Sequence, residues 1–138
     1  MRTRRLFLNR LDPAHEPTDA VVVIDVLRSF TTAAYAYAAG ASTIYPVETI
    51  SRAFRLQRRL PDAATTGAVG GGDPIPGFDF GNSPAALQGA QLHGRPLIQT
   101  TAAGVRGLTR FRHARALFAA SLVLGRATAR ALRELQVE

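Results

Sequence analysis

Short apolar runs alternate with longer segments of helical periodicity along the chain. Residues 20–25 are a run of Ala, Val and Ile that ends in Asp25, which is typical of a strand buried on both faces of a parallel sheet. The Ala-rich residues 29–39 are followed by Gly40, and this predicts a helix with a glycine stop. In residues 49–60 the apolar positions recur at helical spacing while the arginines fall mostly on another face, so an amphipathic helix packed on a sheet is expected.

The same signals divide the rest of the chain into short elements and two loops. Strands are predicted over residues 4–9, 42–47, 63–66, 95–100 and 115–121, and helices over residues 84–90, 103–111 and 126–135. The loops are residues 11–19 and residues 67–82, and the second contains six Gly and two Pro. A loop of that length in a compact domain is usually functional or mobile. Strands that alternate with helices predict a single α/β domain over residues 1–138, with a mainly parallel sheet and helices on both faces.

Charge and composition narrow the classes of function. The 138 residues carry 17 basic side chains, all of them Arg, against 10 acidic ones, for a net charge of +7. This charge suits an anionic ligand, because the guanidinium group binds phosphate and carboxylate through two hydrogen bonds. A genome-wide preference for Arg and Ala codons is the favoured explanation of the charge, because Ala is also abundant and Lys is absent. The chain has no Cys, which excludes a disulfide framework and thiolate metal sites.

Nucleic acids and membranes are not favoured as partners. The arginines are not interleaved with aromatic residues and no nucleic-acid-binding motif is present, although both are common in such proteins. No apolar run approaches the roughly 20 residues of a membrane span. The basic N-terminus lacks the long apolar stretch of a signal peptide. We therefore expect a cytoplasmic protein with a small anionic ligand.

Three segments follow predicted strands at the edge of the sheet where ligands bind, which in an open α/β sheet is formed by the carboxyl ends of the strands. Asp25 and Arg28 follow the first buried strand; a carboxylate there suits a divalent cation, and an arginine suits an anion. Thr100 and Thr101 precede a predicted helix, and the N–H groups of a helix start attract phosphate. The glycine-rich loop supplies further oxygen-bearing side chains at Asp79, Asn82 and Ser83.

Each of these side chains also has an ordinary structural explanation. Asp25 would equally cap the following helix or pair with Arg28. Ser83 precedes Pro84, so it is expected to be a helix N-cap with proline in the first turn. Thr100 and Thr101 would also serve as caps. The spacing of the residues leaves both kinds of role open.

Three stretches of the chain resemble the 2-phosphosulfolactate phosphatase family. They are VVIDVLRSFTT at residues 22–32, YPVETI at residues 45–50 and GFDFGNSP at residues 77–84. Residues 100–107 and 120–121 resemble further family segments less closely. The resemblance extends over residues 20–130 and concerns the N-terminal part of the family, whose members are longer than this chain.

The resemblance implies a Mg²⁺-dependent phosphatase that hydrolyses a small phosphate monoester beside a sulfonate, giving sulfolactate on the route to coenzyme M. In such an enzyme the metal ion neutralises phosphate oxygens and orients the attacking water. The resemblance implies metal ligation or base catalysis by Asp25 and Asp79. It implies binding of phosphate or sulfonate by Arg28, Asn82, Ser83, Thr100 and Thr101.

Two differences from the family provide an alternative interpretation. Family members usually carry a glutamate after the first glycine of the glycine-rich loop, where this chain has Ala68 after Gly67. The family also continues well beyond residue 138. The alternative is a catalytically inactive, shortened relative that binds an anion or a partner protein. Because a sheet that lacks later strands leaves an edge or an apolar face uncovered, a homo-oligomer is also expected.

Overall fold

The computed structural model describes residues 3–10, 19–70 and 72–135. The described strands are β1 (Ala20–Ile24), β2 (Ile44–Pro46), β3 (Ala64–Val69), β4 (Asp73–Pro74), β5 (Phe80–Gly81), β6 (Leu97–Thr100) and β7 (Ala116–Ala120). The α-helices are α1 (Ser29–Ala38), α2 (Ile50–Arg59), α3 (Pro84–Leu87), α4 (Gly104–Arg110) and α5 (Gly125–Glu134), and a 3₁₀ turn covers Leu8–Arg10.

The strands form two groups whose pairings are mostly parallel. In the first group β1 pairs with β7. In the second, β6 lies between β2 and β3, and β3 also pairs with β5; all of these contacts are parallel, whereas β3 and β4 pair antiparallel. The predicted α/β class is therefore confirmed, and the hydrogen bonds further divide the described strands into a large and a small sheet.

The core is centred on β6. Leu97 and Ile98 are fully buried and, as neighbours on a strand, point to opposite faces of the sheet. Leu97 packs with residues of α1 and α3, such as Ala36 and Leu87, while Ile98 packs with Ala53 of α2. Helices on both faces, as predicted, thus cover the central strand.

The β1–β7 pair is covered much less completely. Ala120 is the only buried residue in these two strands, and no described residue of α5 is buried. Helix α4 packs closely on β1, because a Cβ atom built on Gly107 would lie 2.5 Å from Cγ1 of Val23. The run of Ala, Val and Ile in β1 predicted a strand buried on both faces, whereas the structure leaves it half-buried because few neighbours cover it.

Helix ends follow the signals in the sequence. Gly40 has a φ of 91° directly after α1, which is a conformation that side chains disfavour. The Thr49 Oγ1 accepts a hydrogen bond from the Arg52 N–H at 3.2 Å and caps α2. Pro84 is the first residue of α3, and Ser83 occupies the N-cap position without a side-chain capping hydrogen bond.

Two sequence predictions need correction. The strand predicted over residues 4–9 is wrong, because no strand pairs with this exposed segment in the described part of the chain and the Arg10 N–H bonds to the Phe7 carbonyl in a 3₁₀ turn. The segment predicted as a loop over residues 67–82 contains the end of β3 and both β4 and β5. Strands as short as two residues can form even in a segment that is rich in Gly and Pro. The loop predicted over residues 11–19 lies almost wholly outside the described residues.

None of the helices in the described ranges is both long and apolar enough to cross a membrane.

Candidate functional site

The carboxyl ends of three strands in the large sheet lie side by side. Gly67 of β3 is in register with Thr100 of β6 and with Gly81 of β5. The residues one step further along these strands therefore lie side by side at this edge of the sheet. They are Ala68, Thr101 and Asn82.

The small sheet ends in a second polar pair. The Asp25 N–H donates a hydrogen bond of 3.0 Å to the Ala120 carbonyl, which continues the β1–β7 ladder one step past Ile24. Asp25 and Ser121 therefore follow their strands at the same level. Because parallel strands in register present their side chains to the same face, both side chains lie on the face of Val23, against which α4 packs.

Hydrogen bonds around Ser29 connect the two sheets. The Ser29 and Thr101 hydroxyl oxygens are 2.9 Å apart, and the Gln99 Nε2 donates a hydrogen bond of 2.9 Å to the Ser29 carbonyl. The Ser29 N–H donates to the Asp25 Oδ1 at 3.3 Å, so the carboxylate also caps the start of α1. The first residue of α1 thus holds the ends of β1 and β6 together.

Gly104 allows the start of α4 to approach this cluster. A Cβ atom on Gly104 would lie 2.6 Å from the Ser29 Oγ and 2.9 Å from the Asp25 Oδ2. A side chain at this position would therefore displace both polar groups. The absence of a side chain brings the backbone of α4 against Asp25.

Arg28 extends across the same edge to the glycine-rich loop. Its Nη2 lies 3.5 Å from the Gly72 carbonyl oxygen, and the side chain is half-buried. Gly72 has a φ of 114°, and a Cβ atom built there would collide with the Arg28 guanidinium. The positive charge of Arg28 is therefore held between the start of α1 and the loop after β3.

Three buried polar atoms at the strand ends have no hydrogen-bond partner among the described residues: the Thr100 Oγ1, the Asn82 Oδ1 and the Ser121 Oγ. A fourth such atom, the Thr32 Oγ1, lies within α1. Burying an unpaired polar atom costs about 1–3 kcal/mol, so a ligand atom that paired with any one of the three would be favourable. Thr100 lies on the face of Ile98 and α2, whereas Asn82 lies on the opposite face, with Phe80.

Asp79 is held differently from Asp25. Its Oδ2 accepts hydrogen bonds from both the N–H and the hydroxyl of Thr65, each at 2.8 Å, and its own N–H donates to the Thr65 hydroxyl at 2.9 Å. These bonds fasten the start of β5 to β3, one residue before their parallel pairing begins. Asp79 thus precedes β5, whereas Asn82 and Ser83 follow it.

A magnesium ion at Asp25 would be only partly coordinated by protein. In the described ranges, no three His, Cys, Asp or Glu side chains lie together in a way that could hold a metal ion. Mg²⁺ usually keeps several waters and is bound through one or two carboxylates together with substrate phosphates. The Asp25 carboxylate, whose Oδ1 accepts only the long bond from the Ser29 N–H, would be a suitable donor for such an ion.

The structure adds residues that the sequence analysis did not select. Ser121 follows a strand at its carboxyl end, so the rule that selected Asp25 would also have found it. Gln99 is a polar residue within the apolar strand β6 and is fully buried, which is itself a signal of a specific hydrogen bond. Ser29 gave no signal, because serine is common at helix starts.

Comparisons with known proteins identify the family of this chain. A family model described as 2-phosphosulpholactate phosphatase matches residues 7–138. A probable 2-phosphosulfolactate phosphatase of Carboxydothermus hydrogenoformans is 44% identical over 119 residues, which is 86% of this chain and 49% of that relative. Proteins with the same description from Bacillus subtilis and Deinococcus radiodurans are both 38% identical, over 86% and 91% of this chain and 52% of each relative.

The aligned region covers most of this chain but only about half of each relative. The chain spans about half the length of the curated relatives that it matches. All of the residues placed above at the strand ends lie within the range of the family model. The chain belongs to the 2-phosphosulfolactate phosphatase family.

Proposed function

We propose that this chain is a Mg²⁺-dependent phosphatase that hydrolyses a small phosphorylated acid. The observation that carries the proposal is the chain of hydrogen bonds from Asp25 through Ser29 to Thr101, which joins strand ends of both sheets, with the unpaired Ser121 Oγ in the strand beside Asp25. The relatives' description suggests 2-phosphosulfolactate as the first substrate to assay. Its hydrolysis would give sulfolactate, on the route to coenzyme M, and we propose that it takes place in the cytoplasm.

Each side chain has a distinct role in the proposed reaction. The Arg28 guanidinium would bind an anionic group of the substrate, because it follows β1 next to Asp25 and is held beside Gly72. The hydroxyls of Thr100 and Thr101 would donate hydrogen bonds to phosphate or sulfonate oxygens, together with Asn82 and Ser83. Such donors lower the barrier when they lie where negative charge develops.

Asp25 is the preferred candidate for metal ligation or base catalysis. Its Oδ1 accepts one long hydrogen bond, from the Ser29 N–H at 3.3 Å, so both oxygens keep acceptor capacity. When bound, Mg²⁺ would neutralise phosphate oxygens and orient water. Asp79 remains a second candidate for the same roles; since Thr65 occupies its Oδ2, either role would fall to its Oδ1.

Phosphate release is the direct test of the proposal. We expect the chain to release phosphate from 2-phosphosulfolactate or another small phosphomonoester with Mg²⁺, and to lose that activity in EDTA. Asp25→Asn should lower kcat by at least about 100-fold if Asp25 is a metal ligand or the base. Asp62→Asn is the matched control, because Asp62 is exposed and lies before β3, at the opposite edge of the sheet. No release above a heat-inactivated control would refute the proposal for this chain.

A second candidate function is anion or partner binding without catalysis. Ala68 favours binding without catalysis. Its position lies beside Thr101 and Asn82 in the register, and the methyl side chain can neither bind a metal ion nor accept a proton. The family usually has a glutamate at this position. A catalytically inactive relative should be stabilised against heat by phosphate or sulfolactate without any turnover. Turnover in the release assay would exclude this alternative.

We also propose that the chain forms a homo-oligomer through an apolar patch of Ile24, Leu27, Leu122 and Val123. These residues lie at the end of β1 and in the loops that follow β1 and β7, and Leu27 and Leu122 are 89% and 81% exposed. Exposed apolar clusters of this kind usually mark an interaction surface. The occupant that we propose is a second copy of this chain, because an apolar patch can meet the same patch of another copy across a two-fold axis.

Sedimentation velocity tests this assembly. We expect the wild-type chain to sediment as a dimer or larger species, and Leu27→Asp combined with Leu122→Asp to shift it to a monomer. Tyr37→Asp is the matched control, since Tyr37 is 55% exposed on α1, outside the patch, and should leave the assembly intact. A wild-type monomer at high protein concentration would contradict the assembly without affecting the proposed chemistry.

A further inference from the structure

Ser121 has a hydroxyl group for which the fold provides no hydrogen bond. The residue is 5% exposed, and its Oγ has no partner among the described residues. Buried hydroxyls are nearly always paired, so the unpaired Oγ requires an explanation. The backbone of Ser121 is used, because its carbonyl accepts a hydrogen bond from the Leu124 N–H at 3.2 Å. The unexplained group is therefore the side chain alone.

The position of Ser121 relates its hydroxyl to Asp25. The Asp25 N–H bonds to the carbonyl of Ala120, the residue before Ser121. Val23 and Ala119 are paired in the same register, so Asp25 and Ser121, two residues on in each strand, lie on the same face. Contacts of Gly107 with Val23 and of Gly104 with Asp25 show that this face is the one on which α4 packs.

We infer that Ser121 is a further ligand-binding residue, whose hydroxyl donates a hydrogen bond to an oxygen of a phosphoryl group bound beside Asp25. A hydroxyl can donate to an anionic oxygen, and a bond to a charged group is stronger than one between neutral groups. Thr101, which is joined to Asp25 through Ser29, borders this place from the large sheet, and Ser121 borders it from the small one. This inference rests on the proposed function for the nature of its ligand.

The unpaired hydroxyl predicts an unusual combination of effects. In the free protein, Ser121→Ala removes no hydrogen bond, so the free energy of unfolding should stay unchanged or rise slightly. In the complex, the same change removes a bond to a charged group, which corresponds to a loss of affinity of about tenfold or more. A serine with a purely structural role would show the reverse: lower stability and unchanged affinity.

The experiment measures binding of inorganic phosphate with Mg²⁺ by calorimetry, together with the thermal midpoint of unfolding. We expect Ser121→Ala to raise the Kd for phosphate about tenfold without lowering the midpoint, and Ser121→Thr, which keeps the hydroxyl, to retain more of the affinity than Ser121→Ala. Ser42→Ala is the matched control, since Ser42 is exposed before β2, at the other end of the strands.

Three outcomes would overturn the inference: a Kd for Ser121→Ala within twofold of the wild-type value, a lower thermal midpoint with unchanged affinity, or no phosphate binding by the wild-type chain. Because binding needs no turnover, this test is separate from the phosphate-release assay. A chain that binds phosphate through Ser121 but releases none from any monoester would support the inference and refute the proposed phosphatase activity.

Discussion

The large sheet and the β1–β7 pair place two isoleucines in opposite surroundings. Ile98 of β6 is 0% exposed, whereas Ile24 of β1 is 69% exposed. The large sheet has helices on both faces, while β1 and β7 are mostly half-buried. Yet the candidate site takes residues from both regions, with Thr100 and Asn82 on the first and Asp25 and Ser121 on the second. The contrast suggests that the stability of the fold resides in one region, while the geometry of the site depends on both.

The largest expected effect comes from making the same substitution in both regions. Ile98→Ala should lower the free energy of unfolding by about 2–5 kcal/mol, because it leaves a cavity in a packed core. Ile24→Ala should change it by less than about 0.5 kcal/mol, as is usual for exposed positions. Urea unfolding of the two variants under conditions where the chain is monomeric measures the difference. Equal losses would show that β1 is buried in solution and that the contrast is wrong.

A substitution where α4 packs on β1 should have an intermediate effect. Gly107→Ala would place a Cβ atom 2.5 Å from the Val23 Cγ1, and overpacking of this kind costs about 1–3 kcal/mol. The gain in helix propensity of up to about 1 kcal/mol offsets part of that cost. We expect a net loss of stability in thermal unfolding.

Gly125→Ala is the control for this substitution. Gly125 is also helical, and no described atom outside its own stretch of helix lies within 4 Å of a Cβ built there. The Gly125→Ala variant should be as stable as the wild-type chain or slightly more stable. If both glycine variants behave alike, then α4 does not pack tightly on β1 and the small sheet is more loosely attached than described.

The smallest effect should come from the hydrogen bond between the two regions. The Ser29 and Thr101 hydroxyls lie 2.9 Å apart, and a buried hydrogen bond contributes about 0.5–1.5 kcal/mol. A double-mutant cycle of Ser29→Ala and Thr101→Val should give a coupling energy of that size in urea unfolding. Thr43→Val, at an exposed position before β2, should show no coupling to Ser29→Ala. A coupling near zero for the Thr101 pair would mean that the two sheets are not joined there.

The fold was largely predictable because its elements carry local signals. The β-branched run of β1 and the glycine after α1 each specified an element or its end. The segment 4–9 could not be assigned correctly, since a short apolar run becomes a strand only where another strand pairs with it. The incomplete burial of β1 was also not visible, because burial depends on which other elements cover the strand.

The candidate site was partly predictable for a different reason. The rule that ligands bind at strand ends selected Asp25, Thr100 and Thr101, and the structure brings Asp25 and Thr101 together through Ser29. The spacing of Asp79 could not reveal that Thr65 holds its carboxylate, because residues 65 and 79 meet only through the pairing of β3 with β5. The roles proposed for all of these residues stay predictions.

The backbone conformation of Gly72 limits how the glycine-rich loop can vary. At position 72, any side chain would meet both an unfavourable φ of 114° and the Arg28 guanidinium, whereas Gly70 has a φ of 51° and no contact within 4 Å of a Cβ built there among the described residues beyond its chain neighbours. Asn and Asp adopt a φ near 50° readily. In a library of random variants, position 70 should therefore accept Asn or Asp, while position 72 should accept only Gly. Two positions that are two residues apart in one loop would thus tolerate different sets of residues.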